Sequence, residues 1–186
     1  MALSIDDIHQ LLSERGHGQY GGEAINQLEH GLQCAQLAEQ AGETPHTVVA
    51  CLLHDLGHLL AAQNERQPDQ TLERDDLHQN YVLPFLRGVF PDAVLEPIRL
   101  HVDAKRYLCT VEPGYWETLS PVSQHTLTLQ GGPYTAVQAE VFARLPYSAE
   151  AVRLRRYDDL AKVAGLPTPS LAHYLPVMSS VCLLPT

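Results

Sequence analysis

Apolar residues recur along this chain at helical spacing, and the alternating pattern of a half-buried strand is absent. Ile5, Ile8, Leu11 and Leu12 share one face after Ser4, a good N-cap. Gly16, Gly18, Gly21 and Gly22 predict a flexible loop around Tyr20. A second helix is expected over about 23–41, ending at Gly42. Thr44-Pro45 supplies a cap and a first-turn proline for a third helix, which carries His54-Asp55. The polar stretch 62–74, with Pro68, reads as a loop. Asp75 or Asp76 opens a fourth helix bearing His78, and Pro91-Asp92 a fifth running toward His101. Two prolines and a glycine predict irregular chain over 109–121, and Gln130-Gly-Gly-Pro133 a tight turn. Helices are expected at 134–144, 147–163 and 170–179. The pattern describes an all-α bundle in one domain, residues 1–186, with a core of about 20–164 and a tail of 165–186. The apolar end Val181-Cys-Leu-Leu-Pro-Thr186 suits packing on the body or on a partner.

Composition narrows the function classes. A formal net charge of −10 argues against nucleic acid, which is bound mainly by neutralising phosphates. No apolar run is long enough to span a membrane, and no signal segment opens the chain. The four cysteines, 34, 51, 109 and 182, form no Cys-x-x-Cys pair and read as reduced thiols of a cytoplasmic protein. Positive charge gathers in two small groups, Lys105-Arg106 and Arg153, Arg155 and Arg156. The oligomeric state is left open by the sequence.

The chemistry lies in the histidines. His54-Asp55 sits in the apolar run Cys51-Leu-Leu-His-Asp-Leu-Gly-His58, with Gly57 marking a close backbone contact. A neutral imidazole and a carboxylate are good ligands for a divalent first-row metal, and the second carboxylate oxygen can bridge to another ion. One such pair has little weight alone. His30, His54, His78 and His101, however, recur at intervals of 24, 24 and 23 residues, about one helix plus one loop. Side chains recurring once per helix can converge in the core of a bundle. Asp158, on a late helix among arginines, is the candidate for a last ligand, although Asp159 lies beside it. Four imidazoles and two carboxylates exceed what one six-coordinate ion takes from a protein. With Asp55 bridging, one ion could take His30, His54, Asp55 and Asp158, and the other Asp55, His78 and His101. Such nitrogen and carboxylate ligation suits iron or manganese.

A His, a His-Asp pair and a distal Asp on a helical chain resemble the HD-domain superfamily, most of whose members are metal-dependent phosphohydrolases. Four segments are closer to its PhnZ-type mixed-valent diiron oxygenases: Tyr20-Gly-Gly-Glu-Ala-Ile-Asn-Gln-Leu-Glu-His30, His54-Asp-Leu-Gly-His58, His101-Val-Asp-Ala-Lys-Arg-Tyr-Leu108 and Gln130-Gly-Gly-Pro133. The similarity covers about residues 20–160. It implies an Fe(II)/Fe(III) pair held by His30, His54, Asp55, His78, His101 and Asp158. Tyr20 would fill the open iron position until substrate arrives, and Glu23 would meet the substrate amine. His58, Lys105, Ser123, Gln130 and Arg155 would grip the phosphonate.

The implied reaction uses dioxygen to cleave the carbon–phosphorus bond of a 1-hydroxy-2-(amino or trimethylammonio)ethylphosphonate. The products would be phosphate and glycine or glycine betaine. A quaternary ammonium prefers aromatic faces, which Tyr81, Tyr107, Tyr115, Trp116, Tyr134 and Tyr157 could supply. The same ligands would also serve an HD-domain phosphohydrolase, which has no need of Tyr20 and its Gly-Gly-Glu loop. A diiron oxygenase of polyols and a metal-free binding module are further alternatives.

Overall fold

The computed structural model describes residues 2–19, 22–64 and 77–183. Tyr20, Asp75, Asp76 and the last three residues lie outside them, as does most of the polar stretch 62–74. Twelve helical segments follow in order: α1 (Ile5–Arg15), α2 (Gln27–Gln40), α3 (Pro45–Leu53), α4 (Leu56–Asn64), α5 (His78–Tyr81), α6 (Leu83–Leu86), α7 (Asp92–Val111), α8 (Tyr115–Thr118), α9 (Pro121–Leu129), α10 (Ala136–Ala143), α11 (Ser148–Leu160) and α12 (Leu171–Ser180). Among the described residues there is no strand, only two isolated bridges. No described helix is long and apolar enough to cross a membrane. The chain is an all-α bundle.

Local chemistry sets the ends of the helices. Ser4 caps α1 and Asp7 returns the bond to its backbone, a reciprocal capping box. Asn26 and Glu29 do the same for α2, so that helix starts at Gln27 and not near residue 23. Thr44 caps α3, with Pro45 in its first turn. Every residue of α3 from Thr47 to Leu53 is buried, which makes it the central helix. It packs on α2 and α7, and α7 packs on α11. The apolar core runs between them, from Ile8 and Leu12 through Val49, Leu53 and Leu86 to Ile98 and Leu154.

Three expectations are corrected. The third helix does not run through His54-Asp55: it breaks there and resumes as α4, which extends to Asn64. The stretch 109–121 is largely ordered, because α7 continues to Val111 and α8 follows. Helix α9 was not foreseen, although Ser120-Pro121 is the same cap-and-proline pair that opens α3. At the C-terminal end Val181 is buried, Cys182 packs against the core, and the Leu183 amide donates to the Val89 carbonyl at 2.8 Å.

Candidate metal centre

Four helices and the break between two others deliver the six predicted ligands to one buried point. His30 lies in the first turn of α2 and His101 mid-way along α7, while Asp158 lies on α11. His78 opens α5. His54 and Asp55 occupy the break between α3 and α4. The break is chemically useful. The last carbonyls of a helix lack partners, and the His54 ring takes one, its Nδ1 donating to Cys51 O at 2.8 Å.

Two glycines allow these elements to approach. A Cβ on Gly31 would stand 2.9 Å from the Leu52 carbonyl oxygen, which brings α2 against α3 and His30 against His54. A Cβ on Gly57 would stand 2.2 Å from the His78 carbonyl oxygen, which brings α4 against α5. Gly57 therefore marks the close contact that its position suggested.

The rings are oriented from behind. A carbonyl can only accept, so the Nδ1 atoms of His30, His54 and His101 are donors, to Ala161 O at 2.8 Å, Cys51 O at 2.8 Å and Ile98 O at 2.7 Å. This fixes the tautomer and turns each Nε2 into the centre. Two pairs result. His30 and His54 bring their Nε2 atoms to 3.2 Å, and so do His78 and His101. Asp55 lies between the pairs. Its Oδ2 is 3.6 and 3.5 Å from the Nε2 atoms of His30 and His54. Its Oδ1 is 3.2 and 3.7 Å from those of His78 and His101. Asp158 adds its Oδ1 at 3.4 Å from His30 Nε2 and its Oδ2 at 3.7 Å from His54 Nε2.

This donor set fits metal. With their Nδ1 atoms donating to carbonyls, neutral His30 and His54 turn Nε2 lone pairs toward each other, a contact with nothing favourable in it unless a cation lies between. Asp158 Oδ1 is buried with no hydrogen-bond partner among the described residues. Ligands on adjacent corners of an octahedron with bonds of about 2.1 Å stand about 3 Å apart, close to the separations here. Three overlapping groups each meet the requirement for a cation: His30, His54 and Asp55; His54, His101 and Asp158; and Asp55, His58 and His78.

The electrostatics agree. Burial lowers His101 well below its ordinary value, with His54 and His78 adding to the effect. Burial also lowers His54. Both therefore present unprotonated nitrogen. Burial pushes the Asp55 carboxyl up, but the surrounding histidines, His54 first, outweigh it and hold it well below the usual range. Asp158 is likewise held down against its burial, chiefly by the Arg155 guanidinium. In His30 burial is outweighed by Asp158 and Asp55, which raise it.

Of the remaining predicted residues, His58 and Arg155 touch the ligands directly. His58 is half-buried, stacked on the His78 ring at 3.9 Å between centroids, with its Nε2 3.9 Å from Asp55 Oδ1. Lys105, one turn after His101, is buried and donates to Thr126 Oγ1 at 3.0 Å. Burial first, then Arg155, lower its ammonium to about 7. Ser123 is buried on α9 and accepts from Lys162 Nζ at 2.9 Å. Gln130 ends α9 with its Oε1 buried and without a partner among the described residues. Arg106 steadies the turn behind it, donating to Gly132 O at 2.8 Å and lying over the Tyr134 ring. Gly131 and Gly132 both have positive φ there, which explains the two glycines. Glu23 accepts from Ser120 Oγ at 2.6 Å and Lys162 Nζ at 3.0 Å. Tyr20 lies outside the described residues.

Arg155 is buried and bound to both Asp158, at 2.6 Å, and Asp159. Its position supports Asp158 as much as any substrate. Arg155→Met should strand the buried Asp158 carboxylate, remove a partner of half-buried Asp159, and cost about 3–5 kcal/mol of stability, read by denaturant unfolding. A loss below 1 kcal/mol would contradict this role. The other arginines brace helices: Arg153 donates to Glu43 at 2.6 Å, and Arg156 to Glu112. Sequence reasoning missed Thr126 and Lys162. The only signal for Lys162 was its place four residues after Asp158.

Comparison with known proteins follows the same lines. Residues 28–161 match the HD domain family. The chain is 41 % identical to hydroxymethylphosphonate dioxygenase of Gimesia maris, over 91 % of this chain and 84 % of that protein. It is 35 % identical to the glycine-betaine-forming [1-hydroxy-2-(trimethylamino)ethyl]phosphonate dioxygenase of Leisingera caerulea, over 94 % of this chain and 88 % of that one. Uncharacterized protein L432 of Acanthamoeba polyphaga mimivirus is 32 % identical over 94 % of this chain and 80 % of its own. With its His/Asp metal-binding cluster on an all-helical frame, this chain belongs to the HD domain family.

Proposed function

We propose that this protein is a diiron dioxygenase that cleaves the carbon–phosphorus bond of a 1-hydroxyalkylphosphonate. The observation that carries the reading is Asp55, whose two oxygens each serve one histidine pair. The kinship to two phosphonate dioxygenases supports it and favours it over a phosphohydrolase. Two iron ions, in the mixed-valent Fe(II)/Fe(III) state, would be held by His30, His54, Asp55 and Asp158 and by Asp55, His78 and His101. They would supply the activation of dioxygen and the oxidation of the substrate carbon.

The reaction balances without a further reductant. A 1-hydroxyalkylphosphonate dianion and dioxygen give a carboxylate and dihydrogen phosphate. The C–P and O–O bonds break, C1 gains one oxygen and phosphorus the other. Carbon C1 gives up four electrons, which dioxygen accepts.

The protein's part is to hold the substrate. Lys105, Ser123, Gln130 and His58 would supply the positive charge and hydrogen-bond donors that a phosphonate needs. Arg155 keeps Asp158 ionised and adds positive potential. Tyr20 holds the open position between turnovers, as its segment implies. The whole chain acts as one catalytic domain, in solution in the cytoplasm.

Lys105 gives a pH test. Its ammonium is half-populated near pH 7 in the free site. A phosphonate dianion favours the charged form, so binding takes up a proton above that pH. KM should stay level below about 7 and rise as the pH climbs past it. Lys105→Met should raise KM at neutral pH roughly 10- to 100-fold and flatten the rise. An unchanged KM would remove Lys105 from the phosphonate grip. The reaction itself is tested with the iron-loaded protein and a hydroxyalkylphosphonate, following oxygen and phosphate together. Equal consumption and release is expected. Phosphate release that continues without oxygen would indicate hydrolysis instead.

A further inference from the structure

We infer that Lys162 is a specificity residue that neutralises Glu23 and so ranks substrates without an ammonium group above those that carry one. The inference rests on the dioxygenase reading and concerns the group attached to C1.

Lys162 is held rigidly. The residue before it, Ala161, accepts the His30 Nδ1 bond at 2.8 Å. The residue after it, Val163, is tied to Gln33 in both directions, its amide donating to Oε1 at 3.0 Å and its carbonyl accepting from Nε2 at 2.7 Å. The ammonium then meets Glu23 Oε1 at 3.0 Å, Ser123 Oγ at 2.9 Å and Ser120 Oγ at 3.3 Å. Both ends of the ion pair are sheltered, with 12 % and 13 % of their side-chain surface exposed, so solvent screens them little.

Glu23 is therefore a poor counter-ion for a substrate cation. Ser120 also donates to it, and Ser120 caps α9, whose positive N-terminal end lies on the same side. An incoming ammonium would find a neutralised carboxylate beside a fixed cation. A quaternary ammonium would want aromatic faces instead. Five of the six rings that could supply them have other partners. Tyr107 and Tyr134 pack on Phe142, and Tyr81 packs on Phe85. Tyr115 donates to Asp159 and Tyr157 to Glu43. A hydroxyphosphonate with only hydrogen on C1 needs neither device. Its products would be formate and phosphate.

The test compares hydroxymethylphosphonate, 2-amino-1-hydroxyethylphosphonate and its trimethylammonio analogue on the iron-loaded protein. Turnover is followed with oxygen, and affinity by anaerobic calorimetry. The wild type should favour hydroxymethylphosphonate by about tenfold or more in both readouts. Lys162→Met should raise the ratio of ammonium to hydroxymethyl substrate by about tenfold, and adding Glu23→Gln should return it. Preference of the wild type for an ammonium substrate would overturn the inference and leave the dioxygenase reading intact, as would a ratio unmoved by Lys162→Met. Turnover of none of the three would instead overturn the dioxygenase reading. If Lys162→Met fails to fold, the wild-type ranking still decides.

Discussion

Asp55→Ala should leave a protein that holds at most one iron and turns over on the order of 10³-fold or more slowly. The expectation follows from geometry. Oδ2 of Asp55 lies 3.5 Å from His54 Nε2 and Oδ1 lies 3.2 Å from His78 Nε2, so one side chain serves both halves of the centre. Asp55→Asn separates charge from shape. It keeps the volume and one oxygen but replaces the other with an amide nitrogen that does not coordinate. One half of the centre should then survive and the bridge should be lost. Metal analysis of the purified variants, beside oxygen uptake, checks both. Two tightly bound irons in Asp55→Ala would mean that the carboxylate is not shared.

Gly57→Ala should slow turnover on the order of 100-fold without replacing a ligand. The new Cβ would fall 2.2 Å from the carbonyl oxygen of His78, 2.8 Å from its carbonyl carbon and 3.0 Å from its Cα. All three are backbone atoms, so no flexible side chain can yield. His78 must retreat, and its Nε2 would leave Asp55 Oδ1 and His101 Nε2, each now 3.2 Å away. A misplacement of about 1 Å at a reacting centre costs on the order of 100-fold in rate. Overpacking adds about 1–3 kcal/mol of destabilisation. Thermal unfolding with and without metal separates the two effects. The variant should lose much of the stabilisation that metal gives the wild type. A Gly57→Ala protein with full activity and two irons would show that α4 and α5 can part without disturbing the centre.

The sequence made the four converging histidines legible because they recur at near-equal intervals of 24, 24 and 23 residues. It carried the starts of α1 and α3 because Ser4 and Thr44-Pro45 are local signals that need no tertiary context. The break at His54-Asp55 was hidden. Apolar residues flank it on both sides at helical spacing, and the His54 ring makes good the loss by bonding Cys51 O. Helix α9 was hidden by its neighbours, since the prolines and glycine before it read as irregular chain. Lys162 was hidden for another reason. It lies just past α11, and its ion pair with Glu23 joins residues 139 apart in sequence. Pairings of that kind depend on how helices pack, and no local spacing encodes them. Arg155 shows a further gap between sequence and structure. The family resemblance implied a phosphonate contact for it, while its bonds to Asp158 and Asp159 make it first a support for Asp158.

The central claim is that two ions share Asp55. Electron paramagnetic resonance of the iron-loaded, partly reduced protein addresses it most directly. A shared carboxylate predicts an antiferromagnetically coupled mixed-valent signal that sharpens when a hydroxyalkylphosphonate is added. A spectrum of isolated ferric iron alone, unchanged by the phosphonate, would contradict it.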